Sequence, residues 1–271
     1  MFLIVKIYKL ILFLILMANY DVLGNIVVVK FKREAKSAEK KRWAAAYLKK
    51  HGAVRSVLEK VSGFGGRLRV QKTKYVLGEK TKEALYKESA CVFRFNVDTC
   101  YFSPRLASER LEIAKMIKKK ENVMVMFGGI GVFAIVAAKA KKASKIVSIE
   151  LGKECNKYAA ENVKRNKVSV DLVSGDVKRK LPRMKEKFDR IVMARPNLKD
   201  TFLGVALSKI KGGGKIHYYG FCKEEDLKEM REEVLGEAKK AKKKVKIVKV
   251  KKAGDIGVGA YRYRIDLKVL N

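Results

Sequence analysis

Residues 123–150 read VMVMFGGIGVFAIVAAKAKKASKIVSIE. An apolar run, Val123 to Phe127, stops at a glycine turn, Gly128-Gly129-Ile130-Gly131. Small residues at helical spacing follow from Val132 to Ala143, and a second apolar run, Lys145 to Ile149, closes on Glu150. Short apolar runs bounded by turn signals read as buried strands. Strand, tight turn, helix and strand in this order belong to a doubly wound α/β sheet, because parallel neighbours need a crossover. In such a sheet the ligand sits at the carboxyl ends of the strands. Glycine lets backbone approach a ligand closely, since no Cβ intrudes. Glu150 is placed to accept hydrogen bonds from the two hydroxyls of a ribose. The turn is shorter than the dinucleotide fingerprint G-x-G-x-x-G. A single adenosine moiety, as in S-adenosyl-L-methionine, fits it better. The bland alternative is a tight turn without a ligand.

A chain of 271 residues with 48% hydrophobic content can bury one large core or two modest ones. Its charge is the outlying quantity: 63 Lys and Arg against 28 Asp and Glu, a formal +35, spread along the whole sequence. Such a field attracts polyanions, nucleic acid first among them. A lysine-rich composition serving solubility is the competing explanation, and the excess of Lys over Arg fits it too, because specific phosphate contacts favour the arginine fork. Cys91, Cys100, Cys155 and Cys222 show no C-x-x-C spacing and only two histidines accompany them, which argues against a zinc site. Scattered cysteines in a long chain suggest reduced thiols and a cytoplasmic protein.

Residues 1–16 are apolar but carry Lys6 and Lys9, and they fall short of the ~20 residues that span a bilayer. Two readings stand: a dispensable extension ahead of a start at Met17, or an interfacial anchor helix. No stable membrane association is expected. Residues 17–100 read as a small α+β domain. It opens with a short strand, a turn at Gly24-Asn25 and a β-branched strand, Ile26 to Val29. A helix over 34–51 and strands at 54–61, 67–70, 75–77, 84–87 and 91–97 follow.

Residues 101–271 read as the cofactor domain. Ser103 is a natural N-cap with Pro104 at the first helical position. Arg105 and Glu109 are spaced to share a helix face, which by itself reads as a surface ion pair of little energetic weight. After Glu150 the pattern predicts a helix over 154–164 and a strand over 170–173 that ends at Asp176. A strand over 188–193 closes on Ala194-Arg195-Pro196. Helices over 201–210 and 224–244, a strand over 215–219 and a closing pair at 245–250 and 261–269 complete it. The acidic residue at a strand end like Asp176 commonly faces an adenine amino group, although a Gly-Asp turn explains it nearly as well.

Several stretches together resemble the archaeal and eukaryotic tRNA guanine-37 N1-methyltransferase family. They are Tyr20-Asp21-Val22-Leu23-Gly24-Asn25-Ile26, Val61-Ser62-Gly63, and Tyr101-Phe102-Ser103-Pro104-Arg105-Leu106 with Glu109-Arg110. Further on come Phe127-Gly128-Gly129-Ile130-Gly131-Val132-Phe133, Asp189-Arg190-Ile191-Val192-Met193 and Ile216-His217-Tyr218-Tyr219. The element around Ser103 and Glu109 separates this family from its relatives, the wybutosine-pathway aminocarboxypropyl transferases. The resemblance implies a class I methyltransferase domain preceded by a small RNA-positioning domain. It also implies S-adenosyl-L-methionine as cofactor, the anticodon loop of tRNA with G37 as partner, and no metal. A monomer is the default. An additional tRNA-elbow domain found in some members is expected to be missing before Tyr20.

The resemblance also implies roles. Glu109 matches the general base. Arg69 matches an arginine that assists at the guanine, and Arg110 a residue near both cofactor and target base. Phe127, Gly129, Gly131, Glu150, Leu151, Asp176, Val177 and Ala194 match cofactor contacts, and Arg105 and Arg195 join Arg69 as substrate contacts. The family's fourth-strand motif is Asn-Leu-Pro, or Pro-Leu-Pro in some archaeal members, where this chain has Ala194-Arg195-Pro196; Val125 stands where an acid is often found. Elementary chemistry agrees with the implied pair. N1 of guanine holds its proton in an amide-like system, and removing it builds charge on O6. A carboxylate that takes the proton and an arginine that meets the oxyanion each supply roughly 10²-fold or more. A stacked base must also be pulled out of its loop. Two other readings remain beside this one: a wybutosine-pathway relative and a degenerate RNA-binding module. Mass spectrometry of the native amino terminus tests the extension: a mature chain starting near Met17 is expected, and one starting near Phe2 contradicts it.

Overall fold

A computed structural model describes residues 19–270, so the reading of residues 1–16 lies outside the described residues. The chain divides into two compact units, one running to Lys87 with Val92–Pro104, the other made of Glu88–Cys91 and Arg105 onward.

In the first unit, β1 (Tyr20–Leu23) and β2 (Ile26–Val29) form a hairpin, α1 (Ser37–Lys50) crosses over, and β3 (Ser56–Lys60) returns parallel to β2. Antiparallel β4 (Thr73–Gly78) completes a four-stranded sheet. Val27, Val29 and Val57 meet Trp43, Ala44 and Tyr47 of α1, the apolar stripe that its spacing requires. Rings of Trp43 and Tyr47 stack at 4.9 Å, and Tyr20 meets Tyr47 edge-on at 5.5 Å. β5 (Glu83–Glu88) and β6 (Cys91–Asn96) make a separate hairpin closed by Ser89 and Ala90, both at positive φ. The strand expected over 67–70 is replaced by a turn: Gly65 and Val70 bridge, with Gly66 and Arg69 at positive φ between them. The pair Gly65-Gly66 makes turning easier there than extension.

The second unit is built on a seven-stranded sheet in the order β12-β13-β11-β10-β7-β8-β9. Its strands are β7 (Asn122–Met126), β8 (Lys145–Glu150), β9 (Asp171–Ser174), β10 (Phe188–Met193), β11 (Ile210–Lys223), β12 (Val245–Gly257) and β13 (Ala260–Val269). The first five run parallel, and β13 is antiparallel to both β11 and β12. The expected α/β class therefore stands. Helices α2 (Ala107–Met116), α3 (Val132–Lys139), α4 (Lys153–Asn166), α5 (Val177–Lys180), α6 (Leu203–Lys209) and α7 (Leu227–Lys240) accompany the sheet. One core cluster gathers Met124, Ile149, Ile191, Leu203 and Leu207; a second gathers Val123, Val125, Phe133, Val192 and Tyr219. Gly212–Gly214, ahead of the strand expected over 215–219, lie inside β11, where the register slips between Phe188–Ile210 and Arg190–Lys215. Pro104 opens a short 3-10 turn, Pro104–Leu106, and α2 starts only after it. Cys91 is a buried free thiol and Cys222 a half-buried one.

The order of strands reverses beside β7, with β8 on one side and β10 on the other. Ligands of open α/β sheets bind at this switch point. The turn that leaves β7 is packed tightly: a Cβ on Gly128 would lie 2.0 Å from Ser148 Oγ of β8 but 3.4 Å from Ser148 Cβ. Gly128→Ala is therefore expected to lower stability by about 1–3 kcal/mol, and Ser148→Ala in the same chain to restore at least half of that loss. Urea unfolding measures both, and an unchanged midpoint for Gly128→Ala contradicts the packing argument.

Candidate active site

The glycine turn and the end of β8 form one rigid piece. Gly128 N–H donates to Ile149 O at 2.9 Å and Gly131 N–H to Gly128 O at 2.9 Å. Gly131 has φ +86° at the start of α3, a conformation that glycine adopts without penalty. The Glu150 carboxylate accepts from Gly129 N–H at 2.8 Å and Gly152 N–H at 2.6 Å, one on each oxygen. Those bonds fix its orientation. An ionised carboxylate has about four acceptor sites, so two donors leave capacity for a diol. On the next strand end, Asp176 caps α5 by accepting from Lys178 N–H at 2.9 Å. Phe127, at φ +61°, sets its ring edge-on to Phe202 at 5.0 Å. Leu151 is half-buried and Val177 is buried in the core. This cradle fits an adenosine-bearing cofactor.

α2 lies against the other half of the sheet and carries charge into it. Glu109 is 2% exposed. Its Oε2 accepts from Arg264 Nη1 at 2.6 Å and from Tyr219 Oη at 3.1 Å; its Oε1 meets Lys251 Nζ at 2.5 Å. Glu112, one turn later, accepts from Arg264, Lys249 and Lys251. Arg264 leads these donors in holding the Glu112 carboxyl well below the usual carboxylate range. Burial, aided by the Glu109 carboxylate, pushes the Tyr219 hydroxyl well above its ordinary value, so it stays a donor. Arg110 is buried as well. It binds Glu88 through two parallel bonds, at 2.6 and 2.5 Å, and lies over the Phe133 ring in the first turn of α3. Tyr219 and Ala194 pack into the cluster that holds Phe133. Glu109, the end of β10 and the start of α3 are thus brought to one place. Among the described residues, no three His, Cys, Asp or Glu side chains are grouped to hold a metal ion.

The TRM5/TYW2 methyltransferase domain model matches residues 84–249, and a TYW2 N-terminal domain model matches residues 14–81. The chain belongs to the TRM5/TYW2 methyltransferase family. It is 36% identical over 209 residues to Trm5b of Pyrococcus abyssi, a tRNA (guanine(37)-N(1))-methyltransferase, and this match covers 77% of the chain but 61% of Trm5b. The crystal structure of P. abyssi Trm5b superposes with a TM-score of 0.82 at 33% identity, covering 93% of this chain and 74% of that one. Taw22 of Nanoarchaeum equitans, a tRNA (guanine(37)-N(1))/4-demethylwyosine(37)-methyltransferase, is 29% identical over 304 residues, covering 93% of this chain and all of Taw22. Pyrococcus horikoshii TYW2, solved in complex with MeSAdo, superposes with a TM-score of 0.80 at 25% identity, covering 97% and 94%.

Not every residue singled out in this TRM5/TYW2 chain is used as expected. Arg69 is half-buried in its turn, its guanidinium 5.8 Å over the Tyr101 ring. Arg105 is exposed at the 3-10 turn. The structure puts Arg195 to another use than a substrate contact. It is buried and donates to Leu198 O, Asp200 O, Tyr219 O and Tyr218 Oη, so it fastens the loop after β10. Arg264, Lys251 and Glu112 were not singled out from sequence, and Tyr219 stood there only within the stretch Ile216–Tyr219, with no role of its own. The one available signal was Arg264 and Asp266 alternating with Tyr263, Ile265 and Leu267 in a strand now seen to lie inside the sheet.

Behind Arg264 the polar chain continues. Asp266 Oδ1 lies 2.6 Å from His217 Nδ1, and His217 Nε2 lies 2.6 Å from Arg190 Nη1. Arginine has no acceptor, so Nε2 accepts and Nδ1 carries the proton toward Asp266. Burial pushes the His217 imidazole below its ordinary range against the pull of Asp266. The folded chain therefore resists a proton that the unfolded chain takes up below about pH 6.5. Stability is expected to fall as pH drops from 7 to 5, by at most about 1.4 kcal/mol per pH unit from this group. Thermal melts of the wild type and His217→Asn across that range test it: a smaller fall in the variant is expected, and identical slopes contradict it.

Proposed function

We propose that the chain is an S-adenosyl-L-methionine-dependent tRNA methyltransferase that acts on N1 of guanine 37, beside the anticodon. The observation that carries this reading is Glu109, a buried carboxylate on the helix that follows Tyr101–Leu106, oriented by Arg264 and Tyr219. The family, and the names of Trm5b and Taw22, support the substrate and the position.

The cofactor supplies an electrophilic methyl group on a sulfonium. Glu150 holds the ribose hydroxyls, with Gly129 and Gly152 N–H groups fixing its carboxylate. Gly128 and Gly131 let the turn close against Ser148, Ile135 and Ala159 and so hold Gly129 N–H on Glu150, and Asp176 with Val177 lines the adenine side. Glu109 takes the N1 proton on Oε1, because Oε2 already accepts from Arg264 and Tyr219. Lys251 shares Oε1 and is 35% exposed, so its flexible stem can yield that oxygen to the base. Arg69 is assigned the charge that builds on O6. The basic surface holds RNA phosphates without reading sequence.

A second reading, methylation of a tricyclic guanosine derivative at the same position, is favoured by two observations. Ala194 carries no amide, and Taw22, whose name includes 4-demethylwyosine, matches over its full length. The test of the base is Glu109→Gln. Turnover on a G37 transcript is expected to fall by about 10²-fold or more, with cofactor affinity by calorimetry within about threefold. Near-normal turnover removes Glu109 from the role. A wild type that is silent on G37 but methylates the tricyclic precursor selects the second reading.

A further inference from the structure

We infer that Arg264 is a positioning residue for the transfer: it locks the Glu109 carboxylate to the sheet, within a closed brace that grips α2 at both ends. This rests on the reading of Glu109 as the base.

Arg264 is fully buried in β13. Its Nη1 reaches Glu109 at 2.6 Å and its Nη2 reaches Glu112 at 2.7 Å, while Nε sits 3.0 Å from Asp266 Oδ1. Glu109 and Glu112 are three residues apart and so lie on one face of α2. One planar fork spanning both fixes the rotation of the helix about its axis. The route then runs back through the sheet. Asp266 is held by His217 of β11, and His217 by Arg190 of β10. Arg190 donates to Met116 O, the last residue of α2, and to both oxygens of Glu121. The path leaves α2 in its first turn and returns to it at its end.

Charge in this brace balances. Glu109, Glu112, Glu121 and Asp266 face Arg190, Arg264, Lys249 and Lys251, with His217 neutral between them. Buried ion networks add little net stability over apolar packing of the same volume. What this one supplies is placement, and misplacing a reacting group by ~1 Å costs ~10²-fold in rate. Lysine cannot replace the fork, since it is a point charge and cannot span Glu109 and Glu112 with two fixed donors.

The experiment is steady-state methylation of a G37 tRNA transcript by full-length Arg264→Lys, Asp266→Asn and Glu109→Gln, each normalised to the fraction that binds S-adenosyl-L-methionine. Arg264→Lys is expected to lose tenfold or more in kcat, with KM for tRNA and for cofactor within threefold of wild type. Asp266→Asn, which loosens only the support behind Arg264, is expected to lose threefold to tenfold in kcat with the same KM values. It decides the matter if Arg264→Lys does not fold. An inactive Glu109→Gln beside an Arg264→Lys with wild-type kcat per binding-competent molecule overturns the brace alone. An active Glu109→Gln overturns both the brace and the base assignment.

Discussion

The second unit depends on the buried contact between Glu109 and Arg264. A carboxylate taken out of water costs several kcal/mol unless cations and donors replace its hydration. Arg264 and Tyr219 replace it on one oxygen, and Lys251 on the other. Arg264 in turn sits in a strand flanked on both sides, so its own charge needs Glu109, Glu112 and Asp266. Removing either leaves the other's charge buried with one partner fewer. α2 is consequently placed by charge as well as by Ile113 and Ile117 in the apolar cluster below it.

The same logic works at the opposite edge of the switch point with neutral donors. Glu150 is oriented by two backbone N–H groups, one from the turn after β7 and one from the residue before α4. Backbone donors cannot swing away, so the carboxylate is preorganised for a diol. Phe133, Ala194 and Tyr219 share one packed cluster, and Tyr219 joins it to Glu109 through its hydroxyl.

Much of this was legible in the sequence, because local chemistry decided it. The glycine turn with Glu150 sits as its pattern required, and β10 covers Phe188–Met193 as its apolar run did. Elsewhere tertiary context prevailed. Arg67–Val70 alternates like a strand, but the adjoining Gly65-Gly66 bends it into a turn. Gly212–Gly214 carries no apolar strand pattern, but it is drawn into β11. Arg195, expected as a substrate contact, donates to the carbonyls of the loop it begins. The strand over 261–269 was legible, but not the burial of its Arg264 and Asp266, because alternation cannot reveal that β12 flanks it and that α2 brings Glu109 to Arg264. Burial of the Arg264 charge is a property of Glu109 and Glu112, which lie more than a hundred residues away.

The central claim is that this site moves one methyl group to N1 of G37. Intact-nucleoside mass spectrometry tests it most directly, on an unmodified tRNA transcript incubated with the enzyme and S-adenosyl-L-methionine. The account predicts a gain of a single methyl on G37, absent when G37 is changed to A. A gain equal to an aminocarboxypropyl group, or no methyl on G37 while cofactor is bound, would contradict it.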